Sequence, residues 1–237
     1  MSIHIANKQR RRPKSTVRKT TGLSPHEVYS LLRKDQGLVE WQPRFDPISE
    51  LVFTILSQHT SDINAFKAFD RLRGQFGSWE TVLYAEEKDI ANLIHVGGLS
   101  NIKAPRIKSV LSQIKERRGN LSIDFLKQLP LDEAKAWLKK IPGIGPKTAA
   151  IVLAFSLGMP AMPVDTHIFR VSKRLGLIGP KINVDEAHEI IESQIKQERV
   201  FAFHVYLINH GRTVCKARKP LCGGCVLNKK CPSAYTL

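Results

Sequence analysis

The sequence has no uninterrupted apolar run of about 18 residues, the length a membrane-spanning helix requires. The longest candidate, Thr148 to Val164, is broken by Gly158, Pro160 and Pro163, so a soluble protein with no membrane partner is expected. The N-terminus lacks the apolar core of a secretory signal, which removes the main reason to read the four cysteines as a disulfide framework. No acidic residue occurs among residues 1–20, alternating strand-like runs are scarce, and no repeat of fixed period is present. What the chain has in excess is positive charge. It carries 37 Lys and Arg against 21 Asp and Glu, a formal net charge of +16 over 237 residues. That exceeds what solubility needs and points to a polyanion, with nucleic acid as the leading partner and a merely basic surface or an anionic membrane contact as the alternative.

Residues 1–20 hold seven Lys or Arg and almost nothing that could pack, including Lys8-Gln9-Arg10-Arg11-Arg12-Pro13-Lys14. This composition reads as a disordered basic arm, serving as a phosphate-binding tail, a targeting signal or a solvated terminus without a role. Further on, the punctuation becomes helical. Ser24-Pro25-His26-Glu27 supplies an N-cap, a proline for the first turn and a capping-box glutamate, and Asp46-Pro47 repeats the start signal. Apolar residues recur at helical spacing in 51–56, 66–72, 107–114, 137–141, 151–157 and 190–195. An all-α protein of many short helices is expected, with a loop-rich segment after Gly211.

Three constellations carry chemistry. The first is Ile141-Pro142-Gly143-Ile144-Gly145-Pro146-Lys147-Thr148-Ala149, which joins two helical stretches. Gly143 and Gly145 let the backbone approach a ligand, and amides opening the second helix favour an anion such as a DNA phosphate, although an ordinary helix–helix turn would read the same way. Lys147 lies just past the turn. A positive helix terminus and partial desolvation would both favour its neutral, nucleophilic amine, and a phosphate-neutralising lysine is the alternative. The second is Met162-Pro163-Val164-Asp165-Thr166-His167-Ile168-Phe169-Arg170-Val171, where Asp165, 18 residues beyond Lys147, opens a new helix. It reads as an N-cap, a role compatible with stabilising a cationic sugar or taking a proton from Lys147. The third is Cys215, Cys222, Cys225 and Cys231, four thiols within 17 residues. Soft thiolates in this number suit a tetrahedral metal centre, zinc or iron–sulfur.

The hairpin IPGIGPKTA, the block VDTHIFRV and the lysine-to-aspartate spacing resemble the helix-hairpin-helix DNA glycosylases, and within them the endonuclease III family, across approximately residues 24–237. The resemblance implies a base excision repair glycosylase with abasic-site lyase activity. In that family the lysine corresponding to Lys147 attacks the anomeric sugar carbon, expels a damaged base, and the Schiff base then undergoes β-elimination. Asp165 matches the second catalytic residue. The cysteine spacing is that of the family's cluster loop, so the resemblance implies a four-iron four-sulfur cluster that is not itself the catalyst, with Lys216, Arg218 and Lys219 as a basic finger on phosphate.

The implied fold is two helical lobes: a six-helix domain near residues 40–158 and a second domain from residues 21–39 plus 159–237. The implied partner is double-stranded DNA with damaged bases, oxidised pyrimidines above all, or abasic sites, bound by a monomer. The expected location is cytoplasmic and nucleoid-associated in a prokaryote, with the nucleus or mitochondrion as the alternative.

One segment departs from the family pattern. Where relatives usually read Leu-Ser-Ala-Gln-Ala-Thr-Asp, this chain has Leu56-Ser57-Gln58-His59-Thr60-Ser61-Asp62. His59 thus stands where a glutamine fills the gap left by an everted nucleotide, and Gln58 precedes it, so either could serve. The second wedge of the family, a leucine in a Gly-Leu pair, matches Leu99; Leu99 could otherwise be core. The rival readings are a mismatch or adenine glycosylase and a non-catalytic iron–sulfur DNA-binding or damage-sensing protein. The former would normally lack the lysine and carry a further C-terminal domain, whereas this sequence stops six residues past Cys231. Lys147 with Asp165 argues against the latter.

Overall fold

The computed structural model describes residues 22–236; the basic arm read at residues 1–20 lies outside them. Among the described residues there are helices, turns and extended linkers but no strand, and no helix is long and apolar enough to cross a membrane. The helices are α1 (Pro25–Gln36), α2 (Pro47–Leu56), α3 (Asp62–Phe76), α4 (Trp79–Tyr84), α5 (Glu87–Ile94), α6 (Ser100–Arg118), α7 (Leu131–Lys139), α8 (Pro146–Phe155), α9 (Thr166–Leu175), α10 (Val184–Ser193) and α11 (Val200–Thr213). Short 3₁₀ turns fill several junctions, including His95–Gly97 before α6 and two within the cysteine loop.

Local chemistry sets many of the starts. Ser24 caps α1 in a full capping box with Glu27, and Asp46 caps α2 by accepting from the Ser49 amide at 2.9 Å, with proline in the first turn of both. Seven α-helices, α2–α8, fall between residues 40 and 158, one more than the six expected. Extended backbone at Ala85 and Glu86 cuts the six-residue α4 off from α5.

Buried apolar side chains form two clusters. One is drawn from Ile48 to Ala161 and contains the apolar faces of α2–α8. The other joins Leu23, Val28, Tyr29 and Leu32 of the α1 region to Met162 and to residues of α9–α11, and Leu227 of the cysteine loop. Every residue of α2 is buried, so it runs through the first cluster as a central rod, packed on α8. The Arg44 amide donates to the Phe155 carbonyl at 3.1 Å. The start of α2 therefore lies at the end of α8, and the two helices run antiparallel, which brings the end of α2 toward the Gly143–Lys147 hairpin. Lys135 of α7 and Glu192 of α10 tie the clusters together at 2.6 Å.

Candidate active site

The hairpin between α7 and α8 is pinned from below by buried Ile141 and Ile144, and tightened by Ile141 N–H to Leu138 O and Ile144 N–H to Ile141 O, both 3.0 Å. Gly143 has φ +90°, a left-handed conformation in which a side chain is strained, and its α-carbon faces the Arg106 side chain. Gly145 is different. Its backbone is extended and a Cβ there would meet nothing within 4 Å. It serves as an N-cap without a side chain, so no side-chain oxygen takes the amides of the first turn of α8. Those donors are left for an external acceptor such as an anion.

Lys147 sits in this first turn and is exposed. The helix terminus expected from the sequence is present, but the partial desolvation is not, because the side chain stands in solvent. Asp165 is half-buried and caps α9, accepting from the Ile168 amide at 2.8 Å. The charges of Asp165 and Lys147 both reach one buried imidazole, His204 of α11. Burial pushes the His204 imidazole down from its ordinary value of 6.5 to about 4. The Pro163 carbonyl at 2.9 Å and the Asp165 carboxylate oppose that fall, while Lys147 and Arg212 add to it. The His204 ring also packs edge-on against Phe155 at 5.4 Å. Sequence reasoning missed His204, which reads as one polar residue within the apolar run Val200 to Ile208.

A stability consequence follows. A histidine with a depressed folded pKa takes up its proton more readily when unfolded, so its contribution is complete above about 6.5 and is lost as pH falls toward 4. Burial lowers His188 and His210 as well, in the same sense. The melting temperature should therefore fall as pH drops from 6.5 to 4. His204→Gln should show a shallower fall over that window in calorimetry; an unchanged slope would remove His204 as a contributor.

Gln58, His59 and Leu99 lie in two short segments that follow α2 and precede α6. His59 and Leu99 are exposed, Leu99 by 49%, and both have left-handed backbone, φ 54° and 52°. Such a conformation costs a residue with a Cβ roughly 1–2 kcal/mol, and it persists only where the surroundings impose it. Gln58 is half-buried and its Oε1 accepts from Arg106 Nη1 at 2.8 Å. Of the two candidates next to each other, His59 is thus free at the surface and Gln58 is held. Nothing in the sequence around Arg106 singles it out for this part.

The four cysteines are unpaired and line a common cavity with Arg174 and His210. Leu227 N–H reaches Cys225 Sγ at 3.4 Å, and Arg174 Nη1 reaches Cys215 Sγ at 3.4 Å. Burial pushes the Cys225 and Cys231 thiols up, and the neighbouring thiols push further in the same direction. Among the described residues no three His, Cys, Asp or Glu side chains converge closely enough for a single ion.

Lys216, Arg218 and Lys219 are exposed on the loop between the first two cysteines. Two arginines one turn apart on α9 hold that loop. Arg170 donates to the carbonyls of Gly211 (2.7 Å) and Cys215 (3.0 Å), and Arg174 to those of Lys216 (2.7 Å) and Ala217 (3.1 Å). The helix capped by Asp165 therefore also carries the basic loop.

The family model described as HhH-GPD superfamily base excision DNA repair protein matches residues 52–197. The endonuclease III of Sulfolobus acidocaldarius is 36% identical over 183 residues, covering 76% of this chain and 79% of that protein. The endonuclease III of Escherichia coli is 32% identical over 206 residues, covering 86% of this chain and 93% of that protein. A solved non-covalent endonuclease III–DNA complex is similar with a TM-score of 0.76 at 28% identity, over 90% of this chain and 98% of that one.

Proposed function

The chain belongs to the HhH-GPD superfamily of base excision DNA repair proteins and, within it, to the endonuclease III family, and from that premise we propose a division of labour in which Lys147 is the nucleophile and Asp165 its carboxylate partner. It is a DNA glycosylase with abasic-site lyase activity, acting where chromosomal DNA is. The residue assignment is supported by the setting of Lys147, in the first turn of α8 beside a hairpin whose helix-opening amides are uncapped, and by Asp165 at the N-cap of α9.

The neutral amine of Lys147 forms a bond to C1′ of an everted nucleotide while the bond from C1′ to the base breaks and the base departs with its electron pair. Asp165 stabilises positive charge on the sugar and accepts the proton that Lys147 sheds on bonding. The O4′–C1′ bond then breaks as O4′ takes that proton back from Asp165, leaving a protonated Schiff base; a water takes a C2′ proton as the 3′ phosphate departs with the electron pair of its C–O bond, and hydrolysis returns the amine. The Gly143–Gly145 turn and the loop with Lys216, Arg218 and Lys219 take phosphates, reading backbone and not sequence. Leu99 with His59 or Gln58 fills the stack. Oxidised pyrimidines are the proposed bases. Cleavage of a panel of duplexes bearing single oxidised pyrimidines, mismatches or an abasic site tests this: excision confined to mispaired normal bases would overturn it.

Cys215, Cys222, Cys225 and Cys231 hold a four-iron four-sulfur cluster in this reading. Four thiols lining one cavity fit a cluster whose irons each take one thiolate, and amide and guanidinium N–H groups face two of the sulfurs. When bound, the cluster supplies cross-linking of the loop and no chemistry on the DNA. Purified protein should be yellow-brown from sulfur-to-iron charge transfer, and Cys225→Ser should lose that colour and melt at lower temperature. Colourless wild-type protein containing zinc would refute the assignment.

A further inference from the structure

Lys103 is a lysine in an unusual place. It is 2% exposed, faces no carboxylate, and donates its ammonium to two backbone carbonyls, Leu56 O and Gly97 O, each at 2.8 Å. Burial pushes its pKa down from the ordinary lysine value. A buried cation without a counter-ion is costly and persists where it satisfies groups that nothing else can reach.

Those two carbonyls identify what it satisfies. Leu56 is the last residue of α2 and Gly97 the last of the 3₁₀ turn before α6, so both are C-terminal carbonyls without a helical partner, at the negative end of the local dipole. The chain leaving Leu56 reaches Gln58 and His59, and the chain leaving Gly97 reaches Leu99. One ammonium therefore anchors the roots of both segments whose tips carry left-handed, non-glycine residues. The two roots are also packed closely: a Cβ on Gly97 would lie 3.3 Å from Ala68 Cβ and 3.9 Å from Leu56 O.

Arg106, one turn further along α6, extends the anchor. Its guanidinium holds Gln58 while its side chain lies along Gly143 of the hairpin, where a Cβ would stand 3.5 Å from Arg106 Cγ and Nε. Three separate stretches of chain meet on these two side chains.

We infer that Lys103 and Arg106 are positioning residues for nucleotide eversion, locking the two stack-filling segments to each other and to the phosphate-binding hairpin so that they enter DNA as one rigid unit. The inference rests on the assignment of Leu99 and Gln58 or His59 to the vacated stack. It explains why strained backbone is tolerated at two exposed tips: the anchor prevents either from relaxing. It also makes Gln58 a member of the anchored scaffold and leaves His59 as the side chain free to move into the gap.

The test uses full-length Lys103→Met and Arg106→Met, which keep the side-chain stem and remove the donors, on two duplexes. One has a fully paired backbone with a single abasic site opposite 2-aminopurine; in the other the same abasic site lies within an unpaired bubble, where stacking need not be broken. Positioning predicts that each variant loses on the order of tenfold or more in β-elimination rate on the paired duplex, as small misplacements do, and recovers to within about twofold of wild type in the bubble. The 2-aminopurine fluorescence rise on binding should shrink in parallel. Equal losses on both duplexes, or wild-type rates on the paired one, would overturn the inference. Should Lys103→Met fail to fold, the half-buried Arg106→Met decides alone. If wild type cleaves neither duplex, the nucleophile assignment fails, whereas the fluorescence change on binding still decides the positioning role.

Discussion

Lys147→Gln is expected to abolish borohydride trapping of the protein on abasic DNA and to lower strand cleavage there by at least about a thousandfold, the range seen when a nucleophile is removed. Glutamine keeps a polar side chain of similar reach, but its amide nitrogen lone pair is delocalised and cannot form the Schiff base. Because the position is exposed in the first turn of α8, stability should change by no more than about 0.5 kcal/mol. The same variant separates the two roles that the sequence leaves open. A lysine that only neutralised a phosphate would cost at most about one unit of the slope of log affinity against log salt, and raising the enzyme concentration would restore the rate. Restored cleavage at saturating enzyme, or persistent trapping, would remove Lys147 as nucleophile.

The second large effect concerns Asp165, where cap and catalyst coincide. Asparagine caps helices about as well as aspartate, so Asp165→Asn should retain the Ile168 amide contact now at 2.8 Å and melt close to wild type. The carboxylate charge is gone, and base excision should fall by roughly 10²–10⁴-fold, the scale of a lost proton-transfer and charge-stabilising group. Asp165→Ala should lose comparable activity and in addition about 1 kcal/mol of stability from the missing cap. Calorimetry with single-turnover excision on the same preparations distinguishes these outcomes. An active Asp165→Asn would reduce the residue to a cap.

The parts of the site that are legible in the sequence are those governed by short-range chemistry. Asp165 as an N-cap, the Gly143 turn and the crowding of four thiols depend on residues a few positions apart, and the structure has each of them. The exposure of Lys147 is not legible, because the apolar residues after it face α2 and the core, while the lysine, at a different angle around the helix, faces solvent. The helix count between residues 40 and 158 comes out one short because the break at Ala85 and Glu86 carries no glycine or proline to mark it.

What the sequence determined by itself is the set of helices with their caps, the polyanion-directed charge and the reactive inventory of one lysine, one aspartate and four cysteines. Capping, periodicity and thiol spacing are local, so their free energies hold whatever the rest of the chain does. Only the tertiary structure decided that His204 is buried with its ring nitrogen on the Pro163 carbonyl, and that Gln58 is held by Arg106 across 48 positions of sequence. It likewise decided that Lys103, between Ile102 and Ala104 and indistinguishable in sequence from a solvated lysine, is a buried cation closing two helix ends. Those outcomes depend on desolvation and on acceptors from distant segments, and neither quantity exists until the chain has packed.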